Sequence, residues 1–153
     1  MSSSSSSSTA LPIEIAAPTH LHNTVDSIDQ IKSIADIDDE HKICFIDVRG
    51  QAERESDGMI PHARHLFLDH ISTALELSAE DFQTKFGYKK PNLDTPIVIH
   101  CRSGVRAVTA QNLFLDKGYT HVKTYPGSWR EWYAKMILPG VIEEHLTNFT
   151  YMI

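Results

Sequence analysis

Pro96-Ile97-Val98-Ile99-His100-Cys101-Arg102-Ser103-Gly104-Val105-Arg106 is an apolar run that ends in a polar, glycine-containing turn, and a helical pattern follows from Val105 to Lys117. A strand that feeds a tight turn and then a helix aims unpaired backbone N–H groups, and the positive end of the helix dipole, at whatever the turn encloses. Cys101 opens that turn. Arg102 and Arg106 add two permanent positive charges, and Gly104 supplies the backbone freedom of a tight loop. Such surroundings favour a thiolate over a thiol. The stretch predicts a nucleophilic cysteine that acts on an anion, held where a strand meets a helix.

Outward from this stretch the chain keeps alternating. Ile43-Cys44-Phe45-Ile46, inside Lys42 to Val48, reads as a strand buried on both faces and closed by Arg49-Gly50. Before it, Ile28, Ile31, Ile34 and Ala35 recur at helical spacing, with Thr24 or Asp26 as the cap and the acidic turn Asp36 to Glu40 as the end. After it, Gln51 to Asp57 predicts a short charged helix stopped at Gly58, and Ile60-Pro61 leads to a weak strand around His65 to Leu68. A longer helical segment runs from Ile71 to Phe86, broken near Ser78 and ended by Gly87, with Leu75, Leu77, Phe82 and Phe86 as anchors. The helix from Val105 carries Val108, Leu113, Phe114 and Leu115, stops at Gly118 and precedes a strand at His121 to Tyr125.

Strands spaced by helices predict an α/β domain: an open, mainly parallel sheet of about five strands with helices on both faces. In such sheets ligands bind beyond the carboxyl ends of the strands. Asp47-Val48-Arg49 and Tyr125-Pro126-Gly127-Ser128-Trp129 should reach that edge beside Cys101 and wall the site.

Composition bounds the rest. A chain of 153 residues with 41% hydrophobic content can bury one ordinary core. The chain is expected to divide into a disordered serine-rich tail at 1–18, one domain at 19–138 and a C-terminal extension at 139–153. Ser2 to Ser8 is either a natural tail or an expression artefact. A net charge of -6 argues against broad attraction to nucleic acid or an anionic membrane, and no run reaches the roughly 18 apolar residues of a membrane span. Cys44 and Cys101 are too few for a disulfide framework, which favours a reducing compartment. The cytoplasm is expected over the mitochondrion, because an import sequence should carry arginines and the first basic residue, histidine aside, is Lys32.

Four ordered pieces carry a resemblance: Ile46-Asp47-Val48-Arg49, Gly58-Met59-Ile60-Pro61-His62-Ala63, Ile99 to Ala107 around Cys101, and Tyr125-Pro126-Gly127-Ser128-Trp129-Arg130-Glu131-Trp132. Together, over about Thr19 to Lys135, the chain resembles the rhodanese-like sulfurtransferases in their single-domain form. Met59 and His62 depart from the Gly-His-Ile-Pro-Gly-Ala usual in that family. The resemblance implies a two-step sulfur transfer: the Cys101 thiolate takes the outer sulfur of a small anionic donor such as thiosulfate, then yields it from a persulfide to cyanide or a thiol, glutathione and a thioredoxin-like protein included. Arg102 and Arg106 would orient the donor, Ser103 would offer a hydroxyl, and the amides from Ser103 through Gly104 and Val105 to Arg106 would line the cradle. Trp129 would shield the persulfide from the rim. Arg49 and Asp47 join the binding set, Asp47 with the alternative role of orienting Arg49 or capping amides.

Two rival classes remain. A cell-cycle dual-specificity phosphatase or an arsenate reductase also uses a cysteine loop closed by arginine, but those phosphatases place five residues between Cys and Arg, and here Arg102 to Val105 make four. A non-catalytic binding module of the same fold usually lacks the cysteine. No cofactor and no metal is expected, since the histidines lack partners at ligand spacing. Cys44 reads as a buried structural cysteine, with a resolving thiol as the alternative. His100 reads as a packed strand residue that could also influence its neighbour's ionisation. Trp129 and Trp132 read as a core-facing pair. Asn148 to Ile153 would pack on the body or on another subunit.

Overall fold

The computed structural model describes residues 23–36 and 42–152, with side chains described as far as residue 147. The serine-rich tail, His20, His22, most of the acidic turn and the side chains of the last residues lie outside that set. Four strands, β1 (Cys44–Asp47), β2 (Arg64–His65), β3 (Ile97–His100) and β4 (Val122–Thr124), form a parallel sheet in the order β2-β1-β3-β4. The architecture is the expected α/β layer arrangement, with four strands among the described residues against the expected five or so. The fifth position contracts to a single bridge between Thr24 and Thr124. The cause is local: the chain turns at once into α1 (Ile28–Ala35), whose cap is Ser27 and not Thr24 or Asp26. The weak strand shortens for a similar reason, because Leu68–His70 closes into a tight turn.

Strand alternation sends neighbouring residues to opposite faces. Cys44, Ile46, Ile97 and Ile99 join one apolar cluster with Ile71, Phe82, Ala110 and Phe114, from α3 (Ile71–Ala74), α4 (Ala79–Phe86) and α5 (Val105–Asp116). Phe45 and Val98 join the other with Ile31, Ile34, Trp129 and Trp132, from α1 and α6 (Ser128–Trp132). Both tryptophans are therefore core side chains, and Cys44 is buried and forms no disulfide. The break near Ser78 separates α3 from α4, and Ser78 Oγ accepts from the Asp81 amide at 3.0 Å. On α5 the buried stripe is Ala107, Ala110, Gln111 and Phe114, at helical spacing, so Val108 faces solvent and is not the anchor its apolar character suggested.

Beyond α6 the helical path continues through a wider turn at Tyr133–Ile137 into α7 (Leu138–Met152), where Val141, Ile142 and Leu146 are exposed. Pro139 comes directly after that wider turn, where the regular helical bonding is already interrupted and a residue without an N–H is accommodated. Among the described residues, no helix is long and apolar enough to cross a membrane.

Candidate active site

Parallel register places Asp47 opposite His100, so the loops leaving β1 and β3 emerge side by side at the carboxyl edge of the sheet. Short α2 (Gln51–Asp57) follows the first loop and α5 follows the second. Cys101 is the first residue past β3, and the loop curls back until the Gly104 N–H lies 3.1 Å from Sγ. Gly104 stands at φ +99°, and a Cβ there would meet the Pro126 carbonyl oxygen at 2.7 Å. Only glycine satisfies both demands. Replacing Gly104 by alanine is expected to push the loop off the strand end beside it, lowering stability by about 1–3 kcal/mol and displacing the amide from the sulfur. Chemical denaturation and the rate of Cys101 alkylation measure the two effects.

The loop is fastened from the other side by the turn after β4. Cys101 N donates to Ser128 Oγ at 3.1 Å, Trp129 N to Cys101 O at 3.0 Å and Arg130 N to Arg102 O at 3.0 Å. Ser128 is fully buried at φ +55°, a left-handed conformation unusual for a residue with a Cβ. Its one hydroxyl proton goes to the Tyr125 carbonyl at 2.8 Å, so at 4.0 Å from Sγ it packs against the sulfur without donating to it.

Among the described residues, the amide that bonds the sulfur is that of Gly104. The thiol is also covered, at 1% exposure, because the turn holding Ser128 closes over it. Ser103 and Val105 sit on the solvent side of the loop.

The arginines divide by partner. Arg106 binds Glu53 in bidentate fashion, at 2.6 and 2.9 Å, and ties α5 to α2. That pair holds the Glu53 carboxyl down to about 2. Arg102 is half exposed and meets Asp57 at 2.8 Å. Arg49 and Asp47 are fully buried, so they stand behind the wall of the site and not on its surface. Asp47 Oδ1 accepts from the Arg49 amide at 2.9 Å, and Oδ2 accepts from Arg49 Nη2 at 2.9 Å and Arg54 Nε at 3.2 Å. Arg49 Nη2 also donates to Gly58 O at 2.7 Å, and the guanidinium lies 5.2 Å from the Trp129 ring centre. Asp47 thus orients Arg49, and Arg49 supports the rim. A polar pocket of about 300 Å³ opens there, lined by Ser56, Asp57, Arg102, Trp129 and Tyr133.

His100 is fully buried between Cys101 and Asp47, with Nδ1 3.1 Å from Cys101 O and Nε2 4.0 Å from Asp47 Oδ2. Burial pushes its pKa below the ordinary 6.5 against the opposing pull of Asp47, and burial also lowers His65. The unfolded chain therefore binds more protons than the native one below pH 6.5, so stability is full above that pH and falls as the solution is acidified. The melting temperature is expected to drop between pH 7 and pH 5, and His100→Gln to flatten part of that slope.

Ser128, Glu53 and Asp57 escape a reading of single residues. The signal for Ser128 lies in its position after the turn glycine of the fourth strand, and for the two acids in a charged helix that begins at the active edge. Among the described residues, no cluster of histidine, cysteine and acidic side chains is arranged to hold a metal ion.

Comparison with known proteins matches this geometry. Residues 27–135 match the rhodanese-like domain family. The Drosophila melanogaster rhodanese domain-containing protein CG4456 is 36% identical over 104 residues, 68% of this chain and 94% of that protein. Human thiosulfate:glutathione sulfurtransferase is 34% identical over 92 residues, 60% of this chain and 79% of that protein. The crystal structure of the Saccharomyces cerevisiae single-domain sulfurtransferase RDL2 superposes with a TM-score of 0.67 at 30% identity, covering 78% of this chain and 95% of that one. With its cysteine loop at the carboxyl edge of a parallel sheet, the chain belongs to the rhodanese-like domain family.

Proposed function

We propose that the protein is a sulfurtransferase in which Cys101 carries sulfane sulfur from thiosulfate to a thiol. In the first step Sγ, as thiolate, attacks the outer sulfur of thiosulfate. The new bond joins Sγ to that sulfur, the bond to the sulfonate sulfur breaks, and its electron pair leaves on sulfite. Charge is conserved, with a thiolate and a dianion giving a persulfide anion and sulfite. In the second step an acceptor thiolate attacks the outer sulfur of the persulfide and the Cys101 thiolate is regenerated.

The observation that carries this reading is the Gly104 N–H on Sγ at 3.1 Å, in a loop whose neighbouring residue Arg102 lines a polar pocket. A fixed donor of this kind stabilises negative charge on sulfur without reorganising. Arg102 receives the anionic end of the donor, and the solvent-exposed stretch from Arg102 to Ser103 yields to admit its outer sulfur. The name of the human relative supports glutathione as the acceptor. Two cysteines that form no disulfide support a reducing compartment such as the cytoplasm, which cell fractionation would check.

Mass spectrometry of the intact protein after exposure to thiosulfate tests the carrier step. The expected result is a gain of one sulfur atom, discharged on adding glutathione. A protein whose mass does not change, or which hydrolyses an aryl phosphate instead, would overturn the proposal.

A further inference from the structure

The pocket beside the cysteine loop already holds a carboxylate of the chain's own. Asp57, the last residue of α2, places Oδ2 2.8 Å from Arg102 Nη1 and 3.8 Å from Arg49 Nη1. That Arg49 nitrogen is buried and has no hydrogen-bond partner among the described residues. One carboxylate therefore stands between the exposed cation of the loop and an under-satisfied buried cation, where an incoming oxyanion would be drawn.

The other cations near the loop are committed more firmly. Arg106 is held by two short bonds to Glu53, and Arg49 and Arg54 both bond Asp47 inside the protein. Arg102 is the outlier, since its side chain is 54% exposed and its partner's 26%. Exposed ion pairs contribute little to stability and exchange readily, whereas a bidentate, partly buried pair resists opening. A donor anion thus gains Arg102 by displacing Asp57 and leaves Glu53 where it is.

We propose that Asp57 is a specificity-determining residue: its carboxylate competes with the oxyanion of the sulfur donor for Arg102, and repels a dianion that enters while it is in place. This rests on the reading that the Arg102 side of the pocket receives the donor. The consequence is a site tuned against strongly charged donors, which opens to thiosulfate only when Asp57 swings away.

Asp57→Asn keeps the shape and removes the charge. Its KM for thiosulfate is expected to fall about three- to ten-fold, with kcat moving less and the gain shrinking as salt is added. Asp57→Glu should stay near the wild-type KM. Glu76→Gln removes the same charge from a surface pair with Lys117, away from the pocket, and should leave KM alone. Calorimetric titration of thiosulfate into Cys101→Ser, with and without Asp57→Asn, reads binding without turnover and should show tighter binding with the asparagine. Sulfur uptake by the wild type with no tightening in either assay would overturn the role of Asp57 alone. So would a Glu76→Gln effect equal to that of Asp57→Asn. No sulfur uptake but tighter binding in the asparagine variant would uphold the competition and remove the carrier reading. Thermal melts of each variant establish that it folds.

Discussion

Replacing Cys101 by serine is expected to abolish sulfur uptake, lowering turnover by about 10³-fold or more, the scale seen when a covalent enzyme loses its attacking atom. The hydroxyl is almost fully protonated at neutral pH and a far weaker nucleophile towards sulfur than a thiolate. The loop itself should survive. Gly104 N–H can donate to an oxygen as well as to a sulfur, and the bonds that fasten the loop run from backbone atoms of Cys101 and Arg102, which the substitution leaves in place. Melting temperature should therefore move by only a few degrees. A companion Cys44→Ser variant sharpens the result, because the chain has two cysteines and Cys44 is buried at 1% exposure within β1. The single-sulfur mass gain should persist in Cys44→Ser and vanish in Cys101→Ser. A Cys101→Ser protein that still gains one sulfur would move the carrier to Cys44 and end the present assignment.

What the sequence made legible follows from which physical signals are local. Apolar runs bounded by Gly and Pro are local, so β1, β3 and the strand-to-helix turn at Cys101 could be placed from Ile43 to Ile46 and Ile97 to His100 alone. The stop of α2 at Gly58 and the break at Ser78 are also matters of one residue's backbone or cap. Pairing is not local. Whether Arg106 and Arg102 meet a ligand or an acid depends on where α2 lies in space, and the sequence gives only that Gln51 to Asp57 is charged. The structure shows that Glu53 and Asp57, one helical turn apart, each take one arginine of the loop. Burial of Asp47 and Arg49 was hidden for the same reason: a carboxylate at a strand end reads as an active-edge group until the residues that enclose it are known. His62 shows the limit of a motif. It stands at φ +64°, where glycine would be at ease, and its ring Nδ1 contacts the Ala35 carbonyl at the end of α1. The turn thus keeps a left-handed backbone with a different residue, at a steric cost offset by a tether no local pattern announces.

Removing the Asp47 side chain is expected to have the largest effect on stability, about 3–5 kcal/mol, because it takes from the buried Arg49 guanidinium its hydrogen-bonded counter-charge and leaves only Asp57 at 3.8 Å. For a chain of this size that corresponds to a fall in melting temperature of roughly 10 °C. Asp47→Ala deprives the Arg49 amide, Arg49 Nε and Arg54 Nε of their acceptor at once and leaves Nη2 only the Gly58 carbonyl, and Arg49 is wholly inaccessible to water that might replace the carboxylate. The acid limb changes too. Burial works against the Asp47 carboxylate, but His100 and the Arg49 hydrogen bonds outweigh it and hold its pKa below the ordinary 3.8; with His100 neutral at pH 7, the guanidinium carries that effect. A lowered carboxylate stabilises the native state above the unfolded value and loses that contribution as pH falls through the folded one, so Asp47→Ala should lack the wild type's loss of stability below about pH 4. Function should follow structure, since Arg49 also holds Gly58 O at 2.7 Å and lies against Trp129, and both shape the rim of the pocket. Asp47→Leu combined with Arg49→Met, which removes both charges together, should recover much of the stability without recovering the rim. Denaturant titrations of the single and double variants measure this directly. If the alanine variant melts within one or two degrees of the wild type, the buried pair is not what holds the carboxyl edge together, and the support of the cysteine loop must be sought in the bonds of Ser128.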